Sequence, residues 1–197
     1  MLVPQMREGR SQTLLLTKSM KRYFFLALYY GIAYWLPSSF IGLGFGRKLR
    51  SFCCRHIFKM CGKNVNVERK ASFGSGRDIE IGDNSGIGIE CSIPVGTVIG
   101  KNVMMAPQCV LLQSSSHRYD STDIPMCEQG TKENGKIIIE DDCWIGTRSI
   151  IIAGRTIRKG SILAAGTVLV KDFPEYSIIG GNPSVLIRSR KMDETKQ

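Results

Sequence analysis

The chain has 197 residues, 43% of them hydrophobic and 22% charged, with a formal net charge of +10. That is the balance of an ordinary soluble protein, and the length allows one large domain or a domain with an appendage. The charge is uneven: residues 1–70 hold 13 Lys and Arg against Glu8 and Glu68, whereas residues 71–197 hold 14 against 15 acidic residues. The basic character therefore belongs to the N-terminal third, whose partner is nucleic acid, a membrane surface or solvent alone. The seven cysteines are odd in number and contain no CxxC pair, and neither Cys nor His spacing suits zinc. A reduced, cytoplasmic protein without a metal is expected. Residues 1–13 are polar, and no small-residue cleavage site follows the apolar run, so no cleavable signal peptide is expected.

Residues 23–46 carry no charge. Lys18, Lys21 and Arg22 precede them, and Arg47, Lys48, Arg50 and Arg55 follow. Pro37 limits an apolar helix to about residues 23–36, which spans only ~21 Å at about 1.5 Å per residue. A membrane-crossing helix needs roughly 20 apolar residues, so crossing is disfavoured. Two readings stay open. In one, Tyr23, Tyr29, Tyr30, Tyr34 and Trp35 lie in a headgroup layer and residues 18–55 touch a membrane surface. In the other, the helix packs on the domain or in an oligomer contact and its basic flanks are solvated. His56, without a motif around it, reads as structural.

Beyond residue 70 the chain repeats every six residues. Apolar side chains fall at Ile81, Ile87, Ile93, Ile99, Met105 and Leu111, and again at Ile139, Ile145, Ile151, Ile157, Leu163 and Leu169. Four residues after each comes a small or short side chain: Ser85, Cys91, Thr97, Val103 and Cys109, then Cys143, Ser149, Ser161 and Thr167, with Arg155 breaking the row. Val67, Ala71 and Phe73 suggest an imperfect earlier turn. Neither a 3.6-residue period nor strict alternation produces this pattern. A flat-sided coil does: six residues make one short strand and one corner, three such sides close a triangle, and coils stack about 4.8 Å apart.

The segments MAPQCVLLQSSSH (105–117), IIIEDDCWIG (137–146), LAAGTVLVKD (163–172) and GGNPSVLIR (180–188) extend the repeat into a more specific pattern. Over about residues 62–188 the chain resembles the hexapeptide-repeat acyltransferases, and within them the sugar O-acetyltransferase branch. The resemblance implies an all-β solenoid, a left-handed parallel β-helix over 61–179 with a protruding loop at 118–136. An N-terminal helical segment over 1–60 precedes it, and a short C-terminal cap and tail over 180–197 follows. It implies transfer of acetyl from acetyl-CoA to a sugar hydroxyl, in a homotrimer with sites between subunits. The alternatives are N-acetylation of an amino sugar and a non-catalytic β-helix that serves as an assembly surface. A γ-type carbonic anhydrase needs three histidine ligands, and this chain has two histidines. Nucleic acid is not an expected partner. The expected location is the cytoplasm, with the inner face of the membrane as a peripheral position.

The repeat stops after Leu111 and resumes at Ile139, and the polar stretch between them begins near His117. An insertion at a corner leaves the stack intact, and long loops in compact folds are usually functional. By the resemblance, His117 is the general base that takes the acceptor proton, a task suited to neutral imidazole. Trp144 implies an aromatic wall beside the acceptor or the pantetheine arm. Thr147, Ala165 and Val170 match positions that line the pantetheine groove, and Lys171 and Arg188 match cations near the CoA phosphates. Asp120, Asp123 and Gln129 are the loop candidates for sugar hydroxyls. Three departures stand out: Val170 in place of the common Thr, Val185 in place of a Lys, and Gly86 to Gly88 with Glu90 where an acceptor-binding Asn is often found.

Overall fold

The computed structural model describes residues 19–41, 44–113 and 115–191. Expectations placed on residues 1–18 and 192–197 lie outside the described residues. From Met60 onward the chain winds as a left-handed parallel β-helix of three walls. Wall one stacks β1 (Met60–Cys61), β3 (Glu80–Ile81), β5 (Val98–Ile99), β10 (Ile138–Ile139) and β13 (Thr156–Ile157). Wall two begins with β2 (Asn66–Val67) and β4 (Gly86–Ile87) and continues through β6 (Met104–Met105), β11 (Trp144–Ile145) and β14 (Ile162–Leu163) to β16 (Ser177–Gly180). Wall three holds β7 (Val110–Leu111), β12 (Ile150–Ile151) and β15 (Val168–Leu169), above single bridges at Ser72 and Ser92.

The six-residue reading accounts for the interior. Every apolar residue of the two runs is buried, the least so being Met105 at 7% exposure. The short row is buried as well, and its hydroxyls are satisfied within the coil stack. Ser85 Oγ donates to the Gly100 carbonyl at 2.6 Å, Ser149 Oγ to Gly146 at 2.8 Å and Thr167 Oγ1 to Ala164 at 2.6 Å. The corners need left-handed backbone, which Asn and Asp tolerate better than branched residues. Asn64, Asn84 and Asn102 take φ of 54°, 57° and 56°, and their side-chain amides form a ladder at 3.1 and 3.3 Å.

Strand register measures the coils. Met60 pairs with Glu80, Glu80 with Val98, Val98 with Ile138 and Ile138 with Thr156, giving steps of 20, 18, 40 and 18 residues. The first coil thus carries two extra residues, which is why Val67, Ala71 and Phe73 looked irregular. The 40-residue step exceeds a regular coil by 22 residues, and these form the protruding loop. At the other end β17 (Val185–Ser189) turns back antiparallel onto β16 and closes the stack.

The N-terminal third plugs the open base of the stack. Helix α1 covers 19–28 and runs on as a π turn at Tyr29–Ala33, and α2 spans Phe45–Ile57. Tyr29 is fully buried: its hydroxyl donates to the Ala71 carbonyl at 2.7 Å and its ring lies 4.5 Å from Phe73. Tyr30 accepts the Phe73 amide at 3.0 Å and donates to Gly74 at 3.1 Å. This corrects the expectation that all five aromatics of this helix suit a headgroup layer. Tyr29 is inside, Tyr30 and Tyr34 are half-buried, and only Tyr23 and Trp35 are exposed. Burying Phe25 and Phe73 stabilises the plug by about 1.5–3 kcal/mol each. His56 stacks on Phe25 with ring centroids 4.1 Å apart, as expected of a structural histidine.

A buried ion pair locks plug to coil. Arg50 is fully buried on α2, donates to the Val67 carbonyl at 2.6 Å and to Leu36 and Pro37 at 3.1 Å, and lies 3.6 Å from Glu68. Burial alone would push the Glu68 carboxyl up. Hydrogen bonds from Ser39 and Asn66, with the Arg50 charge, hold it below its ordinary value instead. Among the described residues no helix is long and apolar enough to cross a membrane.

Candidate active site

The inserted residues do not form an open loop. They leave the corner between walls three and one after Leu112 and rise as a hairpin of β8 (Ser115–His117) and β9 (Thr131–Glu133). His117 pairs with Thr131, and one step further the Arg118 amide donates to Gly130 at 3.0 Å. The imidazole is exposed on the hairpin, so its position comes from the ladder and not from burial. Two contacts hold the hairpin foot. Asn134 Nδ2 donates to Ser116 Oγ at 2.7 Å, and the Asn134 carbonyl packs so closely on Gly154 (φ 73°) that a Cβ there would collide with it. Beside this foot opens a cleft of about 500 Å³ lined by Leu112, Gln113, Asn134, Ile152 and Arg155.

The tip of the insertion is braced internally. Gln129 accepts the Ser121 amide at 3.1 Å and donates to the carbonyls of Ser121 and Ile124, both at 2.9 Å. Its amide therefore shapes the tip. Asp120 pairs with Arg118 at 3.1 Å on the surface, and the Asp123 side chain is exposed, with its backbone amide bound to Ser121 Oγ at 3.1 Å.

Of the remaining candidates, Trp144, Thr147, Ala165 and Arg188 fall on wall two and its corner with wall three. Trp144 is half exposed and heads a register row in which Trp144 pairs with Ile162, Ile162 with Ile178 and Ile178 with Arg188. Three strand spacings place Trp144 and Arg188 about 14 Å apart along one surface. At the adjoining corner Thr147 and Ala165 sit one coil apart. Thr147 Oγ1 donates to the Pro107 carbonyl at 2.8 Å, and the Thr147 carbonyl accepts the Gly166 amide at 2.8 Å. Val170 and Lys171 lie elsewhere, at the corner after β15, where the Val170 amide donates to Ser184 Oγ at 3.2 Å and the Lys171 ammonium sits 5.4 Å from the Phe173 ring.

The candidate residues of one chain fall into two groups. His117, Asp120, Asp123, Gln129, Val170 and Lys171 cluster at or near the corner between walls three and one. Trp144, Thr147, Ala165 and Arg188 occupy wall two and its edge. Lys171, at the corner after β15, and Arg188, on β17, stand on different elements of the chain. Asn134 and Arg155 were missed. The signal for Arg155 was its break in the row of small residues: it lines the cleft and pairs with Asp172 at 3.5 Å. Among the described residues no group of His, Cys, Asp and Glu could hold a metal ion.

The chain is thus a three-walled solenoid with a histidine on an inserted hairpin and an exposed row from Trp144 to Arg188 on one wall. Residues 78–106 and 136–171 match the family described as hexapeptide repeat of succinyl-transferase. Galactoside O-acetyltransferase of Escherichia coli K12 is 30% identical over 141 residues, covering 71% of this chain and 68% of that protein. A maltose O-acetyltransferase structure from Clostridium difficile 630 aligns with a TM-score of 0.69 at 25% identity, over 89% of both chains. A galactoside acetyltransferase in complex with coenzyme A aligns with a TM-score of 0.65 at 25% identity, over 87% of this chain and 82% of that one. The chain belongs to the hexapeptide-repeat acetyltransferase family, in its sugar O-acetyltransferase branch, and acetyl-CoA is its cosubstrate.

Proposed function

We propose that the protein transfers acetyl from acetyl-CoA directly to a hydroxyl of a sugar or surface-polysaccharide precursor, with His117 as general base. The observation that carries this reading is the separation of the two half-sites on one chain. A cyclic trimer sets the wall-two groove of one subunit against the hairpin corner of the next, so that each junction holds one complete site. In that site the row from Trp144 to Arg188 takes the extended arm of the cofactor. The exposed corner backbone at Thr147 and Ala165 supplies hydrogen-bonding groups for its amides. Val170 of the neighbouring subunit adds an apolar wall to the groove, and Arg188, with Lys171 of that subunit, meets the phosphate end of the cofactor. Asp120 and Asp123 offer acceptors to sugar hydroxyls.

The chemistry needs one proton shuttle. The His117 imidazole takes the proton of the acceptor hydroxyl as the oxygen attacks the thioester carbonyl. When the tetrahedral intermediate collapses, the C–S bond breaks and the imidazolium returns the proton to the departing thiolate. The products are an acetyl ester and free coenzyme A. An acyl-enzyme on Cys109 does not fit: the thiol is fully buried against the Ala106 and Gly146 carbonyls at 3.2 Å. The seven free cysteines fit a reducing compartment such as the cytoplasm.

The test is release of coenzyme A thiol from acetyl-CoA across a panel of sugars, nucleotide sugars and lipid-linked saccharides, with the product located by mass spectrometry. An O-acetyl ester supports the reading. An N-acetyl product, or no acceptor-dependent release with any member, contradicts it.

A further inference from the structure

The plug at the base of the stack has an inner face that the fold explains and an outer face that it does not. On the outer face of α1, Phe24 is 64% exposed, and Phe40 in the following turn is 88% exposed, with Ile41 beside it. Phe24 packs edge-on against the buried Phe25 at 5.4 Å, and Phe25 against the half-exposed Phe52 of α2 at 5.5 Å, so these rings tie the two helices together. Large apolar side chains exposed together on one element of a folded domain mark an interaction site.

Phe52 is also part of a cleft of about 560 Å³ between α2 and the first coil. Its other contributors include Arg47, Lys48 and Arg55, which the helical repeat puts on one side of α2, and no carboxylate lines it. Arg47 is oriented by Asn64, whose Oδ1 accepts from Nη2 at 3.0 Å. The whole region is unbalanced, with 13 basic against two acidic residues in the first 70. The buried Arg50–Glu68 pair and the Tyr29 hydrogen bond fix both helices to the coil, so cations and aromatics are carried on one anchored plug.

We infer that this surface docks on an anionic phospholipid bilayer, with Arg47, Lys48 and Arg55 holding lipid phosphates and Phe24, Phe40, Ile41 and Phe52 entering the headgroup and acyl boundary. The two chemistries together choose the occupant. A soluble phosphate compound has no use for the apolar rim. Nucleic acid offers the aromatics stacking partners but leaves Ile41 and the outer face of α1 in water. A second copy apposed face to face would bring the same cations against each other, which costs several kcal/mol in general and disfavours the contact. An anionic membrane satisfies both, through charge at the surface and apolar burial beneath it. The inference stands apart from the acetyl-transfer reading, since none of these side chains belongs to either half-site.

The test is co-sedimentation of the full chain with mixed phosphatidylglycerol–phosphatidylcholine vesicles and with pure phosphatidylcholine vesicles. Binding is expected to be at least about tenfold stronger to the mixed vesicles, and the triple variant Arg47→Glu, Lys48→Glu, Arg55→Glu is expected to lose about a hundredfold. Phe40→Ser, an exposed position whose change leaves the core intact, is expected to weaken binding several-fold, and all variants should retain acetyl-CoA binding. Equal binding to both vesicle types would overturn the inference. So would displacement by inorganic phosphate beyond that caused by chloride of equal ionic strength, or equally tight binding to a short DNA duplex. A fall in oligomer mass in Phe24→Ser would instead assign the face to a second copy.

Discussion

Trp144 and Arg188 stand on one register row of the second wall, linked strand by strand through Ile162 and Ile178. The row joins an exposed indole to an exposed guanidinium over about 14 Å. If it carries the cofactor, Arg188→Ala together with Lys171→Ala should raise the Michaelis constant for acetyl-CoA by up to about thirtyfold, each exposed contact being worth on the order of 1 kcal/mol. The constant for a truncated pantetheine thioester should not move. Steady-state kinetics with both donors decides: equal effects on the two would place the phosphates elsewhere.

The division into half-sites predicts complementation between chains. His117→Ala destroys one half-site, and Ala165→Trp fills the other. Each variant alone should be nearly inactive. Co-expressed and assembled at random, they should recover about a quarter of wild-type activity, since half of the hairpins and half of the grooves remain intact. Light scattering should give a trimer mass for every species. A mixture no more active than its parents would place the complete site within one chain.

Gly154 seats the foot of the hairpin. Its φ of 73° is costly for any other residue, and a Cβ would strike the Asn134 carbonyl. Gly154→Ala should displace His117 while leaving the coils folded. Turnover should fall on the order of tenfold to a hundredfold, as expected for a misplacement near 1 Å. Acetyl-CoA affinity measured by calorimetry should hold. Unchanged turnover would mean that the hairpin is positioned by other contacts.

The Arg50–Glu68 pair makes stability depend on pH. The Glu68 carboxyl is held below its ordinary value of 4.5, so its contribution is complete above that value and lost as pH falls through the lower folded-state value. Arg50→Leu, which strands the buried carboxylate, should cost about 3–5 kcal/mol at neutral pH. For Glu68→Gln, urea midpoints measured across pH should show a gap to wild type that is widest near neutrality and narrows in acid. A gap independent of pH would remove the carboxylate from the account.

Much of this molecule was legible in its sequence. The positions from Ile81 to Leu169 gave the buried rows because a solenoid interior is a one-dimensional repeat, and each coil faces only its neighbours. The hairpin was less legible. Ser115–His117 and Thr131–Glu133 are short and polar, and they lack the apolar alternation by which strands are recognised. The role of the N-terminal third was legible only in part. Hydropathy gave a short apolar helix but could not tell which of Tyr23, Tyr29 and Trp35 would be buried, since that depends on Ala71 and Phe73 far along the chain. The separation of His117 from Trp144 was hidden by the insertion. Counting strands in threes through Ile99, Met105 and Leu111 and on to Ile139 and Ile145, with the insertion left out, places Trp144 on wall two.

The central claim is that His117 removes the acceptor proton in a direct transfer. The measurement that tests it is turnover of His117→Ala with an identified acceptor, alongside acetyl-CoA affinity and rapid-quench mass spectrometry of the wild-type protein. The account predicts a loss of roughly two to four orders of magnitude in turnover, the usual worth of a general base, with cofactor affinity unchanged and no acetylated enzyme trapped. Near-normal turnover in His117→Ala, or an acetyl group trapped on a cysteine, would contradict it.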